Sequence, residues 1–238
     1  MAIPGLQIGL DLIPEVREYS FPSSMDCGIL FMTDFHVRYR RPKLLKFLRE
    51  LVQNRKPDLI LLGGDYLESS GSWVHFREVL EILTAQCPVL AILGNHDFQI
   101  RGFDLKVQLE GMGVQVIEKQ TVVLRVNSGE IQISGNQITE VNPKADFSIL
   151  LLHNPALKNM AAAGYRLVLA GHLHGGQWVF WKRGKILYPG ALVYRWNMLE
   201  GNLSFGKYIQ SKGLGDTLPI RYACPTDVVW IQLHSFYT

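Results

Sequence analysis

Short apolar runs alternate with polar punctuation along this chain, and five of the runs end on residue types that bind metals. Residues 29–32 precede Asp34 and His36, 59–62 precede Asp65, 89–93 precede Asn95 and His96, 149–152 precede His153, and 167–170 precede His172 and His174. Strands buried on both faces read as continuous apolar runs, and ligands of open α/β sheets gather beyond the carboxyl ends of the strands. The pattern therefore predicts that these eight polar side chains share one rim. Between the first three runs, residues 42–54 keep a helical apolar stripe through Leu44, Leu45, Phe47, Leu48, Leu51 and Val52, and Pro42 suits the first turn. A second helix is predicted over 73–85, which makes the first half a βαβαβ unit.

From residue 114 the pattern changes to short strand-like segments at 114–117, 121–126 and 130–134, expected to run antiparallel, with Asn127-Ser128-Gly129 as a hairpin turn. A short helix is expected over 155–163, followed by strands at 178–181, 185–188, 204–210 and 228–233. The fold class that accommodates both halves is α/β, a two-sheet β-sandwich of mixed strands flanked by helices. No linker, low-complexity tract or 20–50-residue repeat divides the 238 residues, so a single domain spanning 1–238 is expected.

Composition narrows the class further. A formal charge of +3 and a pI near 8.7 suit an anionic substrate but lack the dense Lys/Arg pattern of a dedicated nucleic-acid binder. The 3 cysteines, Cys27, Cys87 and Cys224, are scattered and form no CxxC pair, which argues against disulfides and structural zinc. No apolar stretch reaches the ~18 residues of a membrane span, and the first residues lack a signal-peptide pattern. A cytoplasmic location is expected, with peripheral contact at the cytoplasmic face of the inner membrane left open.

In Asp34-Phe35-His36, an extended backbone would place the carboxylate and the imidazole on one side, and His172-Leu173-His174 would do the same with two imidazoles. Gly63-Gly64 lets the chain approach closely before Asp65, the natural bridge between two ions. Asp, His and Asn without thiolate suit borderline or harder divalent ions, with Mn²⁺ expected and Fe²⁺ or Zn²⁺ compatible. The ligand count implies two ions, which in such hydrolases lie about 3.5–4 Å apart, clamp the attacking and leaving oxygens and turn water into hydroxide.

The blocks Asp34-x-His36, Gly63-Gly64-Asp65, Gly94-Asn95-His96-Asp97, His153 and Gly171-His172-x-His174 resemble, in order, the signature blocks of the calcineurin-like metallophosphoesterases. That resemblance implies the metallophosphoesterase fold. It also implies that Asp34, His36, Asp65 and His174 hold one metal while Asp65, Asn95, His153 and His172 hold the other. His96 would then steady the phosphoryl oxygens or protonate the leaving group, with Asp97 orienting its ring. His174-Gly175-Gly176-Gln177, Gly213-Leu214-Gly215, Pro219-Ile220-Arg221 and Cys224-Pro225 are similar to a bacterial subgroup of small phosphodiesterases. One branch of it resembles enzymes that cleave UDP-diacylglucosamine in lipid A synthesis.

Other residues carry two readings. Arg38, Arg40 and Arg41 either hold a second phosphate or belong to a solvated loop entering a helix. Trp178, Phe180 and Trp181 with Lys182, Arg183 and Lys185 either contact a base, acyl chains or an anionic membrane, or form a half-buried strand and a polar turn. His75 and His234 lie outside the blocks and read as structural. The expected partner is a phosphorylated small-molecule or lipid-linked substrate, with no protein partner identified. The competing hypothesis of a metal-bound, non-catalytic scaffold predicts degraded ligands, and none of the blocks is degraded.

Overall fold

The computed structural model describes residues 5–9, 11–127, 129–156, 164–216 and 218–235. In chain order the elements are β1 (Leu6–Ile8), β2 (Glu15–Ser23), β3 (Cys27–Met32), α1 (Pro42–Arg55), β4 (Leu59–Leu62), α2 (Trp73–Thr84), β5 (Val89–Ala91), α3 (Leu105–Gly111), β6 (Val114–Val116), β7 (Thr121–Val126), β8 (Gly129–Gly135), β9 (Phe147–Leu152), β10 (Leu167–Ala170), β11 (Trp181–Arg183), β12 (Ile186–Tyr188), α4 (Gly190–Val193), β13 (Glu200–Asn202), β14 (Lys207–Gln210), β15 (Ile220–Tyr222) and β16 (Asp227–Ser235).

Two mixed six-stranded sheets result. One has the order β2-β16-β3-β4-β5-β6 and the other β13-β14-β10-β9-β8-β7; β1 pairs with β15, and β11 with β12. The alternation of side chains along each strand sorts the core. Ile29 and Phe31 of β3, Leu59 and Leu61 of β4, and Ile149 and Leu151 of β9 meet between the sheets. Leu30, Met32, Ile60 and Leu62 point the other way, onto Leu44, Leu48, Val79 and Leu83 of α1 and α2. Burial on both faces is why these strands read as unbroken apolar runs. Pro42 occupies the first turn of α1, and the Asp11 carboxylate accepts from Lys43 N (3.0 Å) and Leu44 N (3.1 Å), donors that the helix cannot satisfy itself.

Several expectations are corrected. The segment at 114–117 is β6, which runs parallel to β5 in the first sheet; only β7 and β8 form the antiparallel hairpin. Trp178 makes one isolated bridge to Tyr222, and the strand starts at Trp181. The stretch 204–210 becomes strand only at Lys207, because residues 203–206 make the turn of the β13–β14 hairpin, with Leu203 N on the Gly206 carbonyl at 2.8 Å. The expected helix over 155–163 lies mostly outside the described residues. Among those described, no helix is long and apolar enough to cross a membrane.

Candidate metal centre

The carboxyl ends of β3, β4, β5, β9 and β10 open onto one rim, and the loops that leave them carry the predicted ligands. The backbone arrives by a different route from the one expected. Asp34 (φ 53°), His36 (φ 43°), His172 (φ 68°), His174 (φ 49°) and Asp65 (φ 57°) are all left-handed rather than extended. Non-glycine residues adopt this region rarely, and such strain concentrates at functional sites. The turns at Asp34–His36 and Asp65 send Phe35 and Tyr66 inward; Phe35 is fully buried against Phe76, at 5.2 Å between ring centroids.

Glycines make room for the carboxylates. A Cβ on Gly94 would lie 2.1 Å from Asp65 Oδ1, and one on Gly171 would lie 2.4 Å from Asp34 Oδ2. No side chain fits at either place.

Two groups of predicted ligand atoms form, Asp34 with His36 and His174, and Asp65 with His153 and His172, and a third joins His36 to Glu68 and His96; within each group the atoms lie within 4.8 Å of one another. Asp65 Oδ2 stands between the groups, 3.6 Å from His36 Nε2 and 3.3 Å from His153 Nε2. Asn95 Oδ1 reaches His153 Nε2 at 2.9 Å, which places the amide at the second group. The predicted ligands Asp34, His36, Asp65, Asn95, His153, His172 and His174 are therefore brought together.

Three imidazoles are held by their outer nitrogens. His36 Nδ1 lies 2.6 Å from Glu68 Oε1, His153 Nδ1 2.9 Å from the Gly63 carbonyl, and His174 Nδ1 3.1 Å from the Gly215 carbonyl. Donation from Nδ1 leaves Nε2 as the lone-pair nitrogen facing the centre. His36 Nε2 is buried without a hydrogen-bond partner, the condition of an atom shaped to meet a cation. The donor set fits a pair of divalent ions.

Electrostatics support this fit. Burial works to lower the pKa of His153, but the hydrogen bond to Asp65 and the charges of Asp34 and Asp65 prevail and raise it to about 9. His36 is likewise raised against its burial, through Glu68 and the nearby carboxylates. A protonated imidazole cannot ligate, so metal binding must expel these protons. Metal affinity is expected to rise between pH 6 and pH 9, with net proton release in titration calorimetry across buffers of different ionisation enthalpy. The metal-free protein behaves oppositely, because a raised histidine pKa stabilises the fold below the unfolded value and is lost as pH passes through about 9. Proton-neutral binding at pH 7 would contradict both.

Other predicted residues fare differently. His96 sits beside the first group, its ring centroid 4.9 Å from that of His36 and its backbone N–H on Asp65 Oδ1 at 2.9 Å. Asp97 does not orient the His96 ring; it is buried, and its carboxylate accepts from Asp65 N, Tyr66 N and Gly94 N at 2.8–2.9 Å. It is the cradle that sets the Asp65 turn. Burial pushes its pKa up to about 6 despite those donors.

The three arginines divide in the same way. Arg38 stays at the rim beside Glu68 (3.4 Å), Arg40 is tied to Glu78 of α2, and Arg41 is buried with its guanidinium on the Phe35 and Leu214 carbonyls. Arg40 and Arg41 are thus committed to structural partners. Trp178 is partly exposed on the far side of His174, 6.4 Å from the Phe180 ring.

Of two further residues with clear contacts, Asp216 was not singled out by the pattern and Glu68 was assigned no contact by it. Glu68 fixes His36, and Asp216 lies 3.5 Å from His174 Nδ1. A carboxylate three residues after the bridging aspartate, and the glycine pair at 213 and 215, were the available signals. Two depressions flank the rim, one of about 480 Å³ lined by Glu68, His96, Gln99 and Arg101, the other of about 420 Å³ lined by Asn95, Phe98, Lys119, Asn136 and His153.

Comparison with known proteins agrees with this geometry. The calcineurin-like phosphoesterase model matches residues 28–176, more than half of the chain and every signature block from Asp34 to His174. Phosphodiesterase YaeI of Escherichia coli is 29% identical, over 86% of this chain and 81% of its own. The uncharacterized metallophosphoesterase YkuE of Bacillus subtilis is 30% identical, over 93% and 86% respectively. The solved phosphopantetheinyl hydrolase PptH of Mycobacterium tuberculosis superposes on 79% of this chain and 88% of its own, with a TM-score of 0.48 and 12% identity. The chain belongs to the calcineurin-like phosphoesterase family and is a metal-dependent phosphoesterase.

Proposed function

We propose that the chain hydrolyses a phosphodiester or pyrophosphate bond with His96 as the proton donor to the leaving oxygen. The observation that carries this reading is the placement of Asp65 Oδ2 between two His/Asp groups with His96 alongside. Asp34, His36, Asp65 and His174 would hold one divalent ion, and Asp65, Asn95, His153 and His172 the other. Ions bound there neutralise phosphoryl oxygens and lower the pKa of the attacking water. Manganese is the ion of first choice for this donor set, ahead of iron and zinc.

The chain's own residues supply the rest. The bond from His96 N to Asp65 Oδ1 locks the imidazole's backbone to the bridging carboxylate, so the proton donor and the ligands keep one frame. Glu68 fixes His36 and reaches Arg38, which stands at the rim within range of a second phosphate. Protonation of the leaving group matters most when that group is a basic alkoxide, which favours diesters over activated aryl esters as natural substrates. The name of the relative YaeI supports the diester reading as well.

The test separates the proton donor from the ligands. In His96→Ala, metal content measured by plasma mass spectrometry is expected to stay unchanged. Turnover of an alkyl phosphodiester is expected to fall by about 10²–10⁴-fold, and that of an aryl diester by much less. Equal losses on both esters would remove His96 from the proton-transfer role. UDP-diacylglucosamine is the sharper substrate candidate. Fast UMP release from it beside slow turnover of a generic aryl diester is the expected result, and the reverse would leave a general or nucleotide phosphodiesterase or phosphomonoesterase.

A further inference from the structure

Beyond the His174–Gly176 turn the chain leaves both large sheets and builds a slender projection from β11, β12 and α4. Its side chains are unusual for a soluble surface. Trp178, Phe180, Trp181, Leu192, Val193 and Tyr194 are between 40% and 76% exposed, while only Val179 and Leu187 turn inward, onto Cys224. Trp181 stacks flat on Tyr188 across the hairpin, with ring centroids 5.3 Å apart at 6°, so the projection is stiffened by aromatic contact as well as by the small core of Val179, Leu187 and Cys224.

Charge on this projection has one sign. The sequence holds no Asp or Glu between Asp146 and Glu200, yet Lys182, Arg183, Lys185 and Arg195 are all exposed. Lys185 reaches Glu200 at 3.5 Å; among the described residues no carboxylate lies within ion-pair distance of Lys182, Arg183 or Arg195. Exposed aromatic and aliphatic side chains before β11, in β11 and around α4 thus share this unit with the cations Lys182, Arg183 and Lys185 about the β11–β12 turn. A rigid protein partner would need a matching slot, whereas a fluid bilayer conforms to such a surface, with aromatic rings at headgroup depth and cations on lipid phosphates.

We propose that this projection docks the protein onto an anionic lipid bilayer. Because α4 and β12 also pack against the His174–Gly176 turn, docking would set the metal rim at the headgroup level. The substrate would then be a phosphodiester or pyrophosphate carried by a lipid, a consequence that rests on the phosphodiesterase reading while the docking itself does not.

Co-sedimentation with vesicles tests it. The full chain is expected to pellet with vesicles of phosphatidylcholine mixed with phosphatidylglycerol and to remain in solution with phosphatidylcholine alone. High salt should release it, because the cationic contribution is screened. Phe180→Ser/Trp181→Ser/Val193→Ser is expected to lower partitioning by at least about tenfold, and Lys182→Gln/Arg183→Gln by a similar factor, at about fivefold per cation. Both variants change exposed side chains only, so turnover of a soluble aryl phosphodiester should stay at the level of the unaltered protein. Equal recovery from the two vesicle types, or undiminished binding of both variants, would overturn the proposal. So would a dimer in sedimentation velocity that the triple substitution dissociates, since a second copy would then be the occupant. A protein that binds vesicles but cleaves no diester would support docking and count against the catalytic reading alone.

Discussion

Asp65→Ala is expected to lower turnover by about four orders of magnitude and to reduce bound metal from two equivalents to fewer than one. The carboxylate is buried, and among the described residues its Oδ2 is the one carboxylate oxygen within 3.6 Å of histidine nitrogens from both groups. Burial alone would raise its pKa, but the His153 hydrogen bond, the charges of His153 and His36 and the His96 N–H hold it down at about 2. The site therefore contains a fixed negative charge at any working pH. Removing it deletes the shared ligand, releases His96 N from its acceptor and leaves several imidazoles facing one another. Asp65→Asn separates charge from shape, since the amide oxygen can still accept from His96 N. If charge is what matters, Asn should behave nearly as Ala does, with metal content by plasma mass spectrometry falling in parallel. Turnover of Asp65→Ala within tenfold of the unaltered enzyme would end the bridging assignment. The stability consequence runs the other way with pH. A depressed carboxylate stabilises the fold above the unfolded value of about 4 and loses that contribution as pH falls toward 2, so the variant should show a flatter acid limb of denaturation.

Much of this frame is legible in the chain because burial on both faces leaves only apolar residues available. β4 and β10 coincide with the runs 59–62 and 167–170, and β3 and β9 begin two residues before theirs. What alternation does not reveal is where polar residues line a strand for structural reasons. β2 reads Glu-Val-Arg-Glu-Tyr-Ser-Phe-Pro-Ser, an edge strand whose Arg17 serves Asp227 at 2.7 Å and whose Pro22 needs no ladder partner. The gathering of these Asp and His residues at one rim is equally legible, since Asp and His placed after strand ends have few structural uses. The backbone that aims them is not. Residues two apart were expected to share a side through extension, whereas five left-handed residues do the aiming, and left-handed Asp and His leave no signature in a single sequence. Asp97 and Arg41 illustrate the same gap. A carboxylate beside the His96 block and an arginine near Asp34 both suggest chemistry, yet each is consumed by backbone donors or carbonyls. Whether a polar side chain serves substrate or main chain depends on long-range contacts that spacing does not encode.

Arg221→Met is expected to destabilise the fold by about 3–5 kcal/mol, the largest stability effect of any single change away from the rim. Arg221 is fully buried, and its guanidinium donates to Asp216 Oδ1 and Oδ2 through Nε (2.9 and 2.7 Å), to the Cys224 carbonyl through Nη1 (3.2 Å), and to the Lys212 and Gly215 carbonyls through Nη2 (2.7 and 3.1 Å). Burial acts to lower its pKa, but the Asp216 carboxylate outweighs that and keeps the charge. Methionine fills the volume and supplies none of the donors, so Asp216 becomes a buried charge that keeps His174, Gln177 and the Arg41 charge, and the Cys224 and Lys212 carbonyls lose a donor. The loop that Arg221 organises is the floor of the metal centre. Its Gly213 sits against Asp34, where a Cβ would lie 2.8 Å from the Asp34 Cβ, and its Gly215 carbonyl fixes His174 Nδ1. Loosening it should therefore weaken metal binding by about 10–100-fold even in the folded fraction, as loss of an outer partner of a ligating histidine does. Denaturant titration of the metal-free protein reads the first effect and calorimetric metal titration the second. Arg221→Met/Asp216→Leu supplies the control, because removing both charges should recover part of the stability while leaving metal affinity low. A double variant no more stable than Arg221→Met would mean that the lost carbonyl contacts, rather than the stranded carboxylate, carry the cost.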